Sequence, residues 1–300
     1  MPFILKKYKT IHGEKIQAFL VNKAGLSASK SQKLLSKNRV FDDQDNCLKN
    51  GDILNCEYIQ VAVFEGSTRG LKPIFEVDDF AIFDKPSGIM VHPTRKTTEY
   101  CLLDEVRYHF GDEASLAHRI DAETSGLVLV GKNKQSSTQL KTMFEHKQYA
   151  KEYLAVVRGG VVSDITIDKP IAKADSSIRV KMTCKTESGK ESTTHVQPLK
   201  FNKEGNTTLV KAIPITGRQH QIRVHLDSIG HSILGDPIYG VSEATANDYL
   251  SKILSAERRL DFTGAARLML HANRLSFTYK DIEYDVVSKQ AESVFSQFLA

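Results

Sequence analysis

Arg119 and Asp121 stand two residues apart in the run His118-Arg119-Ile120-Asp121-Ala122-Glu123-Thr124-Ser125-Gly126, just ahead of the apolar stretch Leu127 to Val130. An aspartate can serve as nucleophile or general base, and a guanidinium suits phosphate and planar bases alike. Either must first be held still. Leu127 to Val130 is short, aliphatic and closed by Gly131, the pattern of a buried strand. Asp121 therefore lies in a loop tied directly to a sheet, where a carboxylate can be aimed. Most loop aspartates only cap turns. Here the neighbouring arginine and several polar clusters further along the chain argue for more.

The elements that must hold this loop are strand-rich. Ile74 to Phe83, Tyr153 to Val157, Thr207 to Ile213 and Leu275 to Tyr279 read as strands beside Leu127 to Val130, while Ser136 to Phe144 and Gly217 to Ile229 show helical periodicity. On the second helix Ile222, Leu226 and Ile229 mark a buried face, with Arg223 beside it and able to reach inward. The body is thus mixed α+β, without repeats or low-complexity tracts. A length of 300 residues allows two domains, and the spacing divides them as 1–60, a linker over 61–73 rich in turn residues, and 74–300. No apolar run reaches the roughly eighteen residues a membrane span needs. The start Met-Pro-Phe-Ile-Leu-Lys-Lys has its charges after a very short apolar patch, unlike a secretory signal. Cys47, Cys56, Cys101 and Cys184 are scattered, which suggests reduced thiols, a cytoplasmic protein and no zinc site.

Charge is uneven. The first 40 residues hold nine basic side chains against Glu14 alone, so within a net charge of +5 the rest of the chain is acidic. A basic segment on a near-neutral body is the footprint of nucleic-acid binding, although a solvated lysine face gives the same count. Ile16, Phe19 and Leu20 make a short amphipathic helix ended by Gly25; Ser27 or Ser29 then caps a second helix with Leu34 and Leu35 as its apolar pair. Lys30, Lys33 and Lys37, three and four apart on that helix, line one stripe able to follow a phosphate backbone. Arg39 to Phe41, the acidic turn Asp42 to Asn46 and Gly51 to Leu54 read as short strands and turns.

His-Arg-Ile-Asp followed by Thr-Ser-Gly-Leu resembles the catalytic loop of the RluA-type pseudouridine synthases. Further segments match that family in order: Asp84-Lys85-Pro86-Ser87-Gly88-Ile89-Met90-Val91-His92-Pro93, Lys151-Glu152-Tyr153-Leu154-Ala155-Val156, Gly217-Arg218-Gln219-His220-Gln221-Ile222-Arg223, Gly235-Asp236-Pro237-Ile238-Tyr239-Gly240 and Arg267-Leu268-Met269-Leu270-His271-Ala272. The likeness covers residues 74 to 280. Residues 12 to 60 resemble the alpha-L RNA-binding domain, with Lys15, Ile16 and Gln17 where its Arg-Leu-Asp usually stands and Asp42, Asp43 and Gln44 replacing its usual turn.

The resemblance implies one long, mixed, mostly antiparallel sheet flanked by helices, with the cleft across its middle, and a small N-terminal α/β RNA-binding module. It implies an isomerase that converts uridine to pseudouridine in RNA. Asp121 is then the catalytic residue, Arg223 the cation that keeps it ionised, Tyr153 the aromatic packed on the uracil and Arg119 the residue that holds the flipped nucleotide. His118 supports the loop, while Lys85, Pro86 and Gly88 shape the cleft rim. Asp121 can attack the anomeric carbon or remove the ribose 2′ proton, and the sequence leaves both open. No oxidation state changes and no group leaves, so neither cofactor nor metal is required. Arg179-Val180-Lys181-Met182, with Gly189-Lys190-Glu191 and Thr194-His195, resembles the branch acting on large-subunit ribosomal RNA; transfer RNA is the alternative, and no membrane or obligate protein partner is implied.

Three rivals exist. A kinase loop would be one residue shorter and accompanied by a Gly-rich loop and Asp-Phe-Gly. His220 and His225 are five apart, a poor zinc spacing. A non-catalytic RNA-binding or ribosome-assembly protein on the same scaffold is the reading from another class, and the presence of Asp121, Arg119, Tyr153 and Arg223 together speaks against it.

Overall fold

In the computed structural model, which describes residues 3–93, 99–186 and 188–299, the chain forms two units, Met1–Arg69 with Pro93–Asp112, and Gly70–His92 with Glu113–Ala300. In the first, β1 (Phe3–Lys9), which the sequence did not announce, pairs antiparallel with β3 (Tyr58–Phe64), whose other edge takes β2 (Val40–Phe41). Against this sheet pack α1 (Ile16–Asn22) and α2 (Ala28–Ser36), because Ile16, Phe19, Leu20, Leu34 and Leu35 close over Val40, Leu54, Ile59 and Val61. Gly25 takes φ of 67° after α1. Ser27 caps α2, its Oγ accepting from Lys30 N at 3.2 Å.

The domain boundary moves at two places. Tyr58–Phe64 alternates half-buried and buried positions, so residues 61–64 belong to β3 and not to a linker. Among the described residues, 93 and 99–112 group with the first unit and not with the second. They carry α3 (Leu102–Phe110), where buried Glu105 accepts from Arg69 N at 2.5 Å and Arg107 lies 4.4 Å from the Phe64 ring centre.

The second unit is built on a ten-stranded sheet. Its strands are β4 (Pro73–Glu76), β5 (Phe80–Lys85), β6 (Ser115–Leu116), β7 (Ser125–Gly131), β8 (Tyr149–Arg158), β9 (Ile165–Asp168), β12 (Thr193–Asn202), β13 (Thr207–Pro214), β14 (Leu270–Tyr279) and β15 (Ile282–Val287), while β10 (Ala172–Lys173) and β11 (Met182–Thr183) make a separate ribbon. The order is β4-β5-β7-β14-β8-β13-β12-β9, with β15 beside β14 and β6 beside β7. Only β7 and β14 run parallel, so the sheet is mixed and mostly antiparallel, and the α+β expectation holds. Ile74 to Phe83 is two strands, since Val77, Asp78 and Asp79 form the turn between β4 and β5.

Helices α4 (Lys134–Glu145), α5 (Gln221–Ser228), α6 (Glu243–Leu250), α7 (Ala256–Thr263) and α8 (Ala291–Leu299) complete this unit. All seven residues of β7 are buried, as a central strand covered on both faces must be. Among the described residues no helix is long and apolar enough to cross a membrane.

Candidate active site

The loop carrying Asp121 is anchored at both ends. At its end, Gly126 has φ of 112°, and a Cβ there would sit 2.3 Å from the Ala272 carbonyl oxygen. That is where β7 and β14 come together, His271 opposite Ser125, so the turn into the strand requires glycine. Along its length, Ser87 Oγ donates to Glu123 O at 2.5 Å and Gly88 N to Ala122 O at 2.9 Å. Beneath it lies Lys85, fully buried rather than at the rim where the sequence put it. Its ammonium donates to the carbonyls of Pro86, Ile89 and Ala122 at 2.8 to 2.9 Å. Burial works to lower Lys85, opposed by Glu123 and Asp121. The three acceptors match the three N–H bonds that only the charged form has.

Arg223, on α5, is the partner of Asp121. Nη1 donates to Asp121 Oδ2 at 3.0 Å, while Nε and Nη2 form a fork on Asp236 at 2.7 and 2.9 Å. Asp236 Oδ1 also accepts from the backbone N–H groups of Ile238 and Tyr239, so the Gly-Asp-Pro-Ile-Tyr turn is folded around the carboxylate that orients Arg223. Arg223 is 3% exposed. Burial alone would lower its pKa, but Asp236 and Asp121 outweigh that and the guanidinium stays charged. Burial works to raise Asp121, yet Arg223 and then His220 hold its carboxyl below the ordinary value. Asp121 is an anion at neutral pH.

The helix bearing Arg223 begins later than its periodicity suggests. His220 sits in the left-handed region (φ 55°, ψ 18°), so Gly217 to Gln219 are outside it and α5 has eight residues. That conformation costs a side-chain-bearing residue about 1–2 kcal/mol. It directs the imidazole to Tyr239, whose hydroxyl lies 3.0 Å from Nδ1 and accepts from Met182 N at 2.9 Å. If the hydroxyl donates to Nδ1, the Nε2–H faces Asp121 Oδ2 at 3.8 Å. Burial, then the Arg223 charge, pushes His220 down to about 4, so it is neutral here.

Strand alternation supplies the opposite wall. Tyr149, Lys151 and Tyr153 share one face of β8, and all three line a cavity of about 120 Å³ together with Arg119, Asp121 and Arg223. Tyr153 is 8% exposed, and burial keeps its hydroxyl protonated. His118 stacks on Phe144, which stacks on Tyr149, at centroid distances of 4.5 and 4.3 Å. His118 Nε2 accepts from Leu129 N at 3.1 Å, tying the loop to β7.

The structure thus brings together Asp121, Arg119, Tyr153 and Arg223, chosen from sequence on three separate segments. Arg119 is exposed at the cavity edge, with no bond described for its side chain. The lysine stripe is less uniform. Lys30 is paired with Asp112, Lys33 is exposed on α2, and Lys37 is exposed just beyond it as the C-cap. Sequence reasoning gave Lys85 only a place at the rim and passed over Lys151, His220 and Asp236 as site residues. Asp236 had a signal in its Gly-Asp-Pro-Ile-Tyr turn, and Lys151 in its shared strand face with Tyr153. Among the described residues no group of three or more His, Cys, Asp or Glu is gathered as metal donors.

Residues 79–228 match the family described as RNA pseudouridylate synthase. The chain is 37% identical over its full length to an uncharacterized RNA pseudouridine synthase of Helicobacter pylori, 99% of which is covered. It is 32% identical to ribosomal large subunit pseudouridine synthase D of Zymomonas mobilis, over 73% of this chain and 70% of that one. Among solved structures, human RNA pseudouridylate synthase domain containing 1 superposes with a TM-score of 0.61 at 25% identity, covering 79% of this chain and 91% of that one. Strand order, a cavity holding an ionised aspartate on an arginine, and these likenesses agree: the chain belongs to the RNA pseudouridylate synthases of the RluA type, isomerases that turn uridine in RNA into pseudouridine.

Proposed function

We propose that Asp121 is the catalytic residue of this isomerase and that large-subunit ribosomal RNA is its substrate. One observation carries the first part: a single ionised carboxylate at the cavity, bonded to an arginine that is itself fixed by Asp236. The reaction breaks the bond from C1′ to N1, turns the base, forms the bond from C1′ to C5, and moves one proton from C5 to N1. An anion beside the ribose serves it either by attack at C1′ or by removal of the 2′ proton. Asp121 Oδ2 is held by Arg223, which keeps it unprotonated and oriented. Tyr153 offers its ring to a flipped uracil, and Arg119, exposed at the edge, offers its guanidinium to the RNA.

The ribosomal assignment is supported by the Arg179 to His195 segment and by the relative from Zymomonas mobilis. The first unit acts as an RNA-binding module through the ammonium groups of Lys33 and Lys37, with Lys30 shared with Asp112. Four free cysteines fit a reducing cytoplasm. A pseudouridine map of RNA from cells lacking this protein, complemented with the intact chain or with Asp121→Asn, tests these assignments. Sites in large-subunit RNA that vanish and return only with Asp121 support them. Sites confined to transfer RNA move the substrate, and an unchanged map with a continuing need for the protein overturns the enzymatic role in favour of an RNA-binding one.

A further inference from the structure

We infer that Lys151 works as an uncharged amine, its lone pair taken by His118 and its N–H bonds directed at a carbonyl oxygen of the flipped uracil. The inference rests on the cavity being the uridine pocket proposed above. It begins with hydrogen counting at His118. Nε2 faces the Leu129 N–H at 3.1 Å, and a backbone amide can only donate, so Nε2 carries a lone pair. A neutral imidazole then carries its single proton on Nδ1. That atom lies 3.2 Å from Lys151 Nζ. A donor at Nδ1 needs an acceptor opposite, and an ammonium has none. With an ammonium, two N–H groups would confront each other at one ring nitrogen or the other. The amine form gives the Nδ1 proton a lone pair to meet, beside the Arg119 backbone group that also faces this imidazole.

Nζ lies 4.6 Å from the Phe144 ring centre and 4.9 Å from that of Tyr149, faces that would attract an ammonium, but no described carboxylate is near enough to hold its charge. Burial pushes Lys151 down to about 7 and His118 well below its ordinary value. With its lone pair spent on His118, the amine is a donor only. Its two remaining N–H bonds lie on the wall of a cavity that also holds Tyr153 and Asp121.

Such a donor suits this reaction. Uracil has carbonyls at C2 and C4, symmetric about the line from N3 to C6. A half turn about that line exchanges N1 with C5, which the isomerisation needs, and it exchanges the two carbonyl oxygens. One fixed donor therefore meets an oxygen before and after the turn. Cytosine presents an amino group at one of those positions, so a donor-only contact there rejects it. An uncharged donor also leaves Asp121 to Arg223.

Nitrogen-15 spectra of lysine Nζ and histidine ring nitrogens in the full chain at pH 8 test the charge state. The expected result is one amine resonance, lost in Lys151→Met or in Lys151→Arg (either variant suffices for assignment), and His118 protonated on Nδ1. The contact is tested with the RNA found by pseudouridine mapping, carrying 2-thiouridine or 4-thiouridine at the target, since sulfur is a weak acceptor. The wild type should lose about tenfold in kcat with one of the two, and Lys151→Met about tenfold with ordinary RNA but nothing further with the thio-RNA. Lys151→Arg should not rescue the rate. An ammonium resonance for Lys151 at pH 8, independent losses, or full activity of Lys151→Arg would each overturn the inference. The spectra do not depend on Asp121 being catalytic, so failure of that assignment stays distinguishable.

Discussion

Lys85 on β5 and Lys151 on β8 are two enclosed lysines of one sheet, and burial works to lower both, yet their partners assign them opposite charges. Lys85 is surrounded by three carbonyl oxygens, with Glu123 and Asp121 adding to the negative field. Only an ammonium fills that cage. Lys151 has no carboxylate described beside it and faces an imidazole N–H, which needs the lone pair of an amine. Burial sets the scale of the shift, and the count of donors and acceptors decides the state. The same logic separates Arg223, kept charged by two carboxylates, from His220, kept neutral beside it.

Replacing Lys85 should give the larger loss of stability. Lys85→Met leaves three buried carbonyls without their donor, and a loss of about 3–5 kcal/mol in unfolding free energy is expected from denaturant curves. Lys151→Met should cost under about 1 kcal/mol, because a methionine fills the aromatic wall without desolvating an amine, while the rate falls about tenfold. Equal stability losses in the two variants would break the contrast. The pH dependence sharpens it. A lysine at about 7 when folded and about 10.4 when unfolded binds fewer protons in the folded state between those values. Stability therefore rises with pH across that window and falls as the pH drops towards 7. That slope should be lost in Lys151→Met and kept in Lys85→Gln, read from denaturant curves at pH 7 to 10. A slope that follows Lys85 instead would reverse the two assignments. The smallest effect concerns lysines in water: Lys33→Gln with Lys37→Gln should reduce the salt slope of RNA binding by about 1.5, leaving both enclosed lysines untouched. An unchanged slope would remove these residues from the RNA contact.

Much of this was legible in the sequence because it depends on local pattern. Leu127 to Val130 could hardly be anything but a covered strand, and Asp121 had to precede it. Arg223 was recognisable through the family resemblance, its place beside Ile222 and Leu226 being equally that of a surface arginine. What stayed hidden depends on partners distant in sequence. The fork from Asp236 to Arg223 spans 13 residues, and the pairing of Lys151 with His118 spans 33. The late start of α5 was missed because periodicity is blind to a left-handed His220. β1 was missed because Phe3–Lys9 gives no clean alternation and is held by its backbone pairing with β3. Lys85 looked like a rim residue since Pro86 to Gly88 do form a turn, and nothing in that turn says the preceding lysine points under the loop.

The central claim is that the Asp121 carboxylate performs the isomerisation. It is tested most directly by release of tritium from RNA labelled at C5 of uridine, comparing the purified wild type with Asp121→Asn. The amide keeps size and shape but has no anionic oxygen for Arg223. Release should fall by a factor on the order of 10³ or more while RNA affinity stays within about twofold. Tritium release by Asp121→Asn at the wild-type rate would contradict the claim.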